Sequence, residues 1–193
     1  MKIGKMIFYT GLVSMVVSSC SRNRKQQIEN PVVQEWELIT TLVVRAAETA
    51  NPQRAHYFVY KVLNGTGGNH NEFQADKVKL KASTEYDIDI RVLDESDGPA
   101  KDVTPEIVTE RNVHLFYYSS LPAAGSGSIA TSHYDTDEHG QPFGRTCKWN
   151  TGSAGTGTMV IELIHGPRNK MATERAKIAG STDVEATFDV ELQ

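Results

Sequence analysis

The chain has 193 residues, with 20 basic and 24 acidic side chains and a formal net charge of −4. A mildly acidic chain lacks the basic face that phosphate binding needs, which argues against a nucleic-acid partner. The length suits one domain with a substantial core.

The first residues read as a targeting segment. Lys2 and Lys5 form a short positive region, and Met6 to Val17 form an apolar run. The run is too short to span a bilayer as a mature helix and has the length of a secretory signal. It ends Val17-Ser18-Ser19-Cys20, the pattern of a bacterial lipobox. Residues 1–19 are therefore expected to be a lipoprotein signal peptide, with Cys20 lipidated. An ordinary signal with an incidental cysteine is the alternative. Cleavage before Cys20 leaves 174 residues, with 18 basic against 24 acidic, or −6. Cys147 is then the one free thiol, and no intramolecular disulfide can form. It is expected to be a small buried hydrophobe, with a soft metal ligand as the other possibility. Residues 20–34 are polar and read as the lipidated cysteine and a flexible tether.

The domain is expected to occupy residues 35–193. Residues 35–46 are rich in β-branched side chains and apolar on both faces, as in a sandwich strand. Asn51-Pro52 reads as a break. Ala55 to Leu63 is the next strand. The loop Asn64 to Asn71 is Gly-rich, but no Gly-Lys-Ser/Thr follows, so it is not a phosphate-binding loop; His70 within it reads as solvated. Val78 to Asp94 is read as a third β region, where Tyr86, Ile88, Ile90 and Val92 alternate with a wet row containing Asp87 and Asp89. Thr104-Pro105-Glu106 opens a short helix, with a hydroxyl to cap it and proline in its first turn. Strands follow at 113–119, 129–134, 143–149, 158–164 and 183–192, with one helical turn within Met171–Ile178. In the last strand Val184, Ala186, Phe188 and Val190 share one face and acids occupy much of the other. Eight or nine strands, little helix and no βαβ rhythm predict an all-β, antiparallel β-sandwich of immunoglobulin-like type. A closed barrel is the competing architecture.

Ligand-bearing side chains concentrate between His133 and His165. Asp135-x-Asp137-x-x-Gly140 places acidic oxygens on a tight turn, as a hard cation such as calcium requires. The same residues also suit a plain hairpin turn. The spacing departs from an EF-hand, because His139 stands at the fifth position and the later glutamate is absent. His133 and His139 flank the turn. His114 and His165 lie on or at the end of predicted strands that could be neighbours. Imidazoles with one carboxylate suit zinc or copper. The candidate metal ligands are thus Asp135, Asp137, His139, His133, His114 and His165, for a divalent cation: calcium, zinc or copper. Satisfied or solvated histidines are the plainer reading. Trp36, Trp149, Tyr57, Tyr60, Tyr117 and Tyr118 could form a ring-binding platform or simply fill a core. No hydrolase or metalloprotease motif occurs, so no enzymatic activity is expected.

Four elements carry a family resemblance. They are Glu37-Leu38-Ile39-Thr40-Thr41-Leu42, Tyr134-x-Asp-x-Asp-x-x-Gly140-x-Pro142-x-Gly144, Thr151-Gly152-x-x-Gly155-Thr156-Gly157 followed by a strand, His165 and Pro167, and Thr182-Asp183-Val184-x-x-Thr187-Phe188. Across nearly all of 35–193 the chain resembles a family of small outer-membrane lipoproteins that accompany TonB-dependent receptors. The resemblance implies a lipid anchor in the outer membrane and an accessory, binding role in uptake of a nutrient or metal, with such a receptor as partner. A structural or adhesive envelope protein without a small ligand is the alternative. Such surface-exported proteins carry acids after the cysteine. Here Ser21-Arg22-Asn23-Arg24-Lys25 is basic, which leaves the periplasmic side and the cell surface both open.

Overall fold

The computed structural model describes residues 38–63 and 72–193. The expected signal segment 1–19, Cys20, the expected tether to residue 34, Trp36 and the Gly-rich loop with His70 lie outside the described residues.

Alternation of apolar and polar side chains builds two facing sheets. The larger holds β1 (Thr41–Glu48), β2 (Asn51–Val62), β3 (Phe73–Ala75), β5 (Glu85–Asp94), β6 (Lys101–Asp102), β8 (Ile129–Ser132) and β9 (Thr146–Thr151). Its main path runs β3-β2-β1-β5-β9-β8, with β6 paired to β5. The smaller sheet holds β4 (Val78–Leu80), β7 (His114–Leu121), β10 (Gly155–His165) and β11 (Ser181–Leu192), in the order β4-β11-β10-β7. All pairs are antiparallel except β4 with β11. The fold is the expected all-β sandwich.

One core fills the space between the sheets. Leu42 and Val44 of β1, Ile88 and Ile90 of β5, and Trp149 of β9 meet Phe116 of β7, Ile161 and Leu163 of β10, and Phe188 of β11. Asp87 and Asp89 lie on the outer side of β5, where Lys148 and Arg145 pair with them. Trp149, Tyr60 and Tyr118 are buried, whereas Tyr57 is exposed, so these aromatics serve the core more than a platform. Cys147 is also buried, and burial pushes its thiol up to about 12.

Several sequence expectations change in detail. Asn51 and Pro52 begin β2 instead of breaking the chain, because the turn falls one step earlier, at Thr49-Ala50. The region 78–94 is two strands in different sheets, divided by a turn in which Ser83 takes a positive φ of 50°. The helix α1 spans Thr104–Thr109 and is followed by a 3₁₀ turn, Arg111–Val113. Val103, not Thr104, occupies the cap position, and no side chain caps it. The Thr104 hydroxyl instead accepts the Val92 N–H at 2.9 Å, pinning the helix to β5. Ile107 of α1 is fully buried in the core. A second helical turn, α2 (Arg175–Ile178), places Ile178 against Leu115 and Ile164 on the outer face of the smaller sheet.

Candidate metal centre

Two histidines meet at one end of the smaller sheet. His114 opens β7 and His165 closes β10, and the two are direct register partners. Each shares its strand parity with inward residues, Phe116 and Leu163, so both rings face the sandwich interior. Their ring centroids are 4.7 Å apart at an interplanar angle of 80°. His114 is fully buried, while the His165 side chain remains 25% exposed.

A third ligand arrives through an irregularity. Leu163 pairs with Val184 and Ile164 with Thr182, so Asp183 is the extra residue of a β-bulge. A bulge re-aims a side chain that strict alternation would send elsewhere. By alternation from Val184, Asp183 belongs on the outer face with Glu185 and Thr187. Instead its carboxylate, 3% exposed, lies with Oδ2 3.5 Å from His114 Nε2 and 3.9 Å from His165 Nδ1. The three ligand atoms all fall within 4.8 Å of one another. Asp183 Oδ2 is buried and accepts no hydrogen bond from the described residues.

The His114 tautomer follows from its other nitrogen. Nδ1 lies 3.1 Å from the Glu110 carbonyl, which can only accept, so Nδ1 carries a hydrogen and donates it. In the neutral ring Nε2 then presents its lone pair toward Asp183. A backbone carbonyl behind a histidine is one of the usual supports of a metal-ligating imidazole, beside a carboxylate or water.

The acidic turn is built differently. Asp137 Oδ1 accepts the N–H groups of His139 and Gln141, each at 2.9 Å. Its Oδ2 accepts from Lys170 Nζ at 2.8 Å, in an ion pair almost closed to solvent. Lys170 also donates to the Arg111 carbonyl at 2.6 Å. Burial alone would raise the Asp137 carboxyl, but the hydrogen bonds from Lys170, Gln141 and His139 outweigh it and hold the group below the usual carboxylate value. Asp135 Oδ1 accepts the Thr146 N–H at 3.1 Å, and burial raises this carboxyl. Asp137 thus spends both oxygens on closing and anchoring the hairpin, and Asp135 spends Oδ1 there. His133 and His139 are exposed at the surface. His133 bonds to Ser132 Oγ.

Of the six residues singled out as metal ligands, the structure brings His114 and His165 together and leaves the other four apart from them. Among the described residues, the one group of three or more histidine, cysteine or acidic ligand atoms is His114, His165 and Asp183. Asp183 escaped the sequence reading as a ligand because a bulge has no composition signal. Its one trace was its place in the Thr182-Asp183-Val184 element.

Along β7 lies a cavity of about 300 Å³, lined by Leu115, Tyr117, Tyr134, Pro142 and Met171 among others. No described helix is long and apolar enough to cross a membrane. No family model, curated protein or solved structure matches the chain.

Proposed function

We propose that this chain is a lipid-anchored cell-envelope binding protein, accessory to TonB-dependent uptake, whose cargo is a metal ion. The convergence of His114, His165 and Asp183 is the observation that carries this reading. Three strands deliver these groups to one point on a rigid sheet, so little ordering is left to be done when a ligand arrives. The address comes from the sequence, where Lys2, Lys5, the apolar run and Ser19-Cys20 form the lipoprotein pattern. The receptor partner comes from the resemblance across residues 35–193.

The role is tested in cells. A strain lacking the chain is expected to grow more slowly than its parent in chelator-depleted medium, with growth restored by the intact gene and not by Cys20→Ser. The full chain, extracted in detergent, is expected to bring down an outer-membrane receptor barrel. Normal growth under depletion together with purification of the chain alone would reject the uptake role.

A further inference from the structure

We infer that His114, His165 and Asp183 form an exchangeable three-ligand site for a borderline first-row transition ion of the zinc class, with solvent completing the coordination. The inference names the cargo class of the uptake role and rests on that reading for its biological meaning. The chemistry rests on the site.

The donor set selects the metal. Calcium takes about six to eight oxygens, and this cluster offers one carboxylate. Two imidazoles and a carboxylate suit zinc, cobalt, nickel or copper(II). The spacing is near what such an ion needs. A tetrahedral ion with bonds of about 2.0–2.1 Å sets its ligand atoms roughly 3.4 Å apart. The separations of Asp183 Oδ2 from the two histidine nitrogens are 3.5 and 3.9 Å, and all three ligand atoms lie within 4.8 Å of one another, so the side chains close in slightly on the ion.

The electrostatics point the same way. Asp183 Oδ2 is buried without a hydrogen bond from the described residues, an expensive state for a carboxylate oxygen. It faces a histidine nitrogen whose hydrogen-bearing partner, Nδ1, already donates to the Glu110 carbonyl. A cation held between the three ligand atoms gives Asp183 Oδ2 a partner. The bulge adds an independent reason. It takes Asp183 out of the alternation of β11 and turns an acid inward, at a place where an apolar or small residue would pack at less cost.

Access separates this site from a closed structural one. Structural zinc sites use four protein ligands, while sites that exchange or react keep a position open. Here the cluster supplies three ligands, and His165 is the one that reaches solvent.

The test uses the full chain in detergent, stripped with EDTA and titrated separately with zinc, cobalt(II) and calcium. One equivalent of zinc or cobalt is expected to bind, cobalt giving the intense visible bands of a low-coordinate site, and calcium none. His165→Gln and Asp183→Asn are expected to weaken binding by about 100-fold or more, judged against the losses known for supporting residues alone. Both are near-isosteric, and circular dichroism reports whether they fold. His133→Ala and His139→Ala are expected to bind as the parent does. Failure of the folded parent to bind zinc or cobalt overturns the inference, as does parental affinity in both folded ligand variants. In either case an imidazolium held by Asp183 becomes the account of the cluster. The two claims fail separately. Binding without a growth phenotype or receptor removes the uptake role and keeps the site; a phenotype and a receptor without binding do the reverse.

Discussion

Asp135 and Asp137 are two positions apart, and burial raises both carboxyls, yet their net shifts are opposite. At Asp135 burial outweighs the backbone hydrogen bonds and the nearby Arg145 charge, and its carboxyl is raised. Asp137 has Lys170 at 2.8 Å and two backbone N–H groups, and its carboxyl is lowered. The sign of the stability effect follows. A carboxyl lowered in the folded state stabilises the fold above its unfolded value of about 3.9, and this contribution is lost as pH falls through the folded value. The Asp137–Lys170 pair therefore supports the protein fully at neutral pH. Lys170→Met leaves a nearly buried carboxylate without its cation. It is expected to lower unfolding free energy by about 3 kcal/mol at pH 7, at the low end for a broken buried pair. The deficit is expected to shrink progressively below about pH 4, as Asp137 becomes neutral. Urea unfolding of parent and variant at steps from about pH 7 to pH 3 measures it. A deficit that stays constant or widens in acid would show that Lys170 acts through packing alone.

Strands and turns decide which side chains can meet. β11 must start hard against the end of β10 for Asp183 to reach His165, and Gly180 makes that start possible. Gly180 has φ +90°, and a Cβ there would lie 2.5 Å from the His165 carbonyl oxygen and 2.8 Å from Ile164 Cγ2. Gly180→Ala is expected to cost clearly more than about 1 kcal/mol in a thermal or urea melt, since strain and collision add. Gly140 is the control. It has φ +72° with nothing near its would-be Cβ, so Gly140→Ala carries only the backbone strain and should cost less. Equal losses would mean that the β10–β11 junction yields freely. The same elements show what the sequence revealed. β5 was legible because one face is wet and alternates cleanly. β7 and β10 are apolar on both faces because Ile178 and its neighbours cover Leu115 and Ile164 on the outside, which blurs their period. β3 and β6 have three and two residues, too short for any pattern to register. His114 and His165 could be suspected as neighbours, but their pairing is a matter of register. Asp183 was hidden, because the alternation of Val184, Ala186, Phe188 and Val190 assigns it to the acidic face and the bulge reverses that assignment.

At the scale of the molecule the site and the core share the same strands. His114 is two residues from Phe116, His165 two from Leu163, and Asp183 adjoins Val184, and all three apolar partners belong to the core between the sheets. Separating the three ligands requires β7, β10 and β11 to part, which opens that core. The unfolded chain scatters residues 114, 165 and 183 along its length, so an ion bound at all three binds the folded state alone. Zinc at about 100 times its dissociation constant should then add about 2.7 kcal/mol to unfolding. For a domain of this size that corresponds to a rise of roughly 5–11 °C in the melting midpoint. In urea the midpoint should move while the slope stays unchanged, because the surface exposed on unfolding is the same. Asp183→Asn should abolish the shift without changing the slope. A zinc-bound chain whose midpoint does not move would mean that the end of the sheet frays independently of the core, with the ion ordering only that end; hydrogen exchange would then report protection confined to residues near 114, 165 and 183.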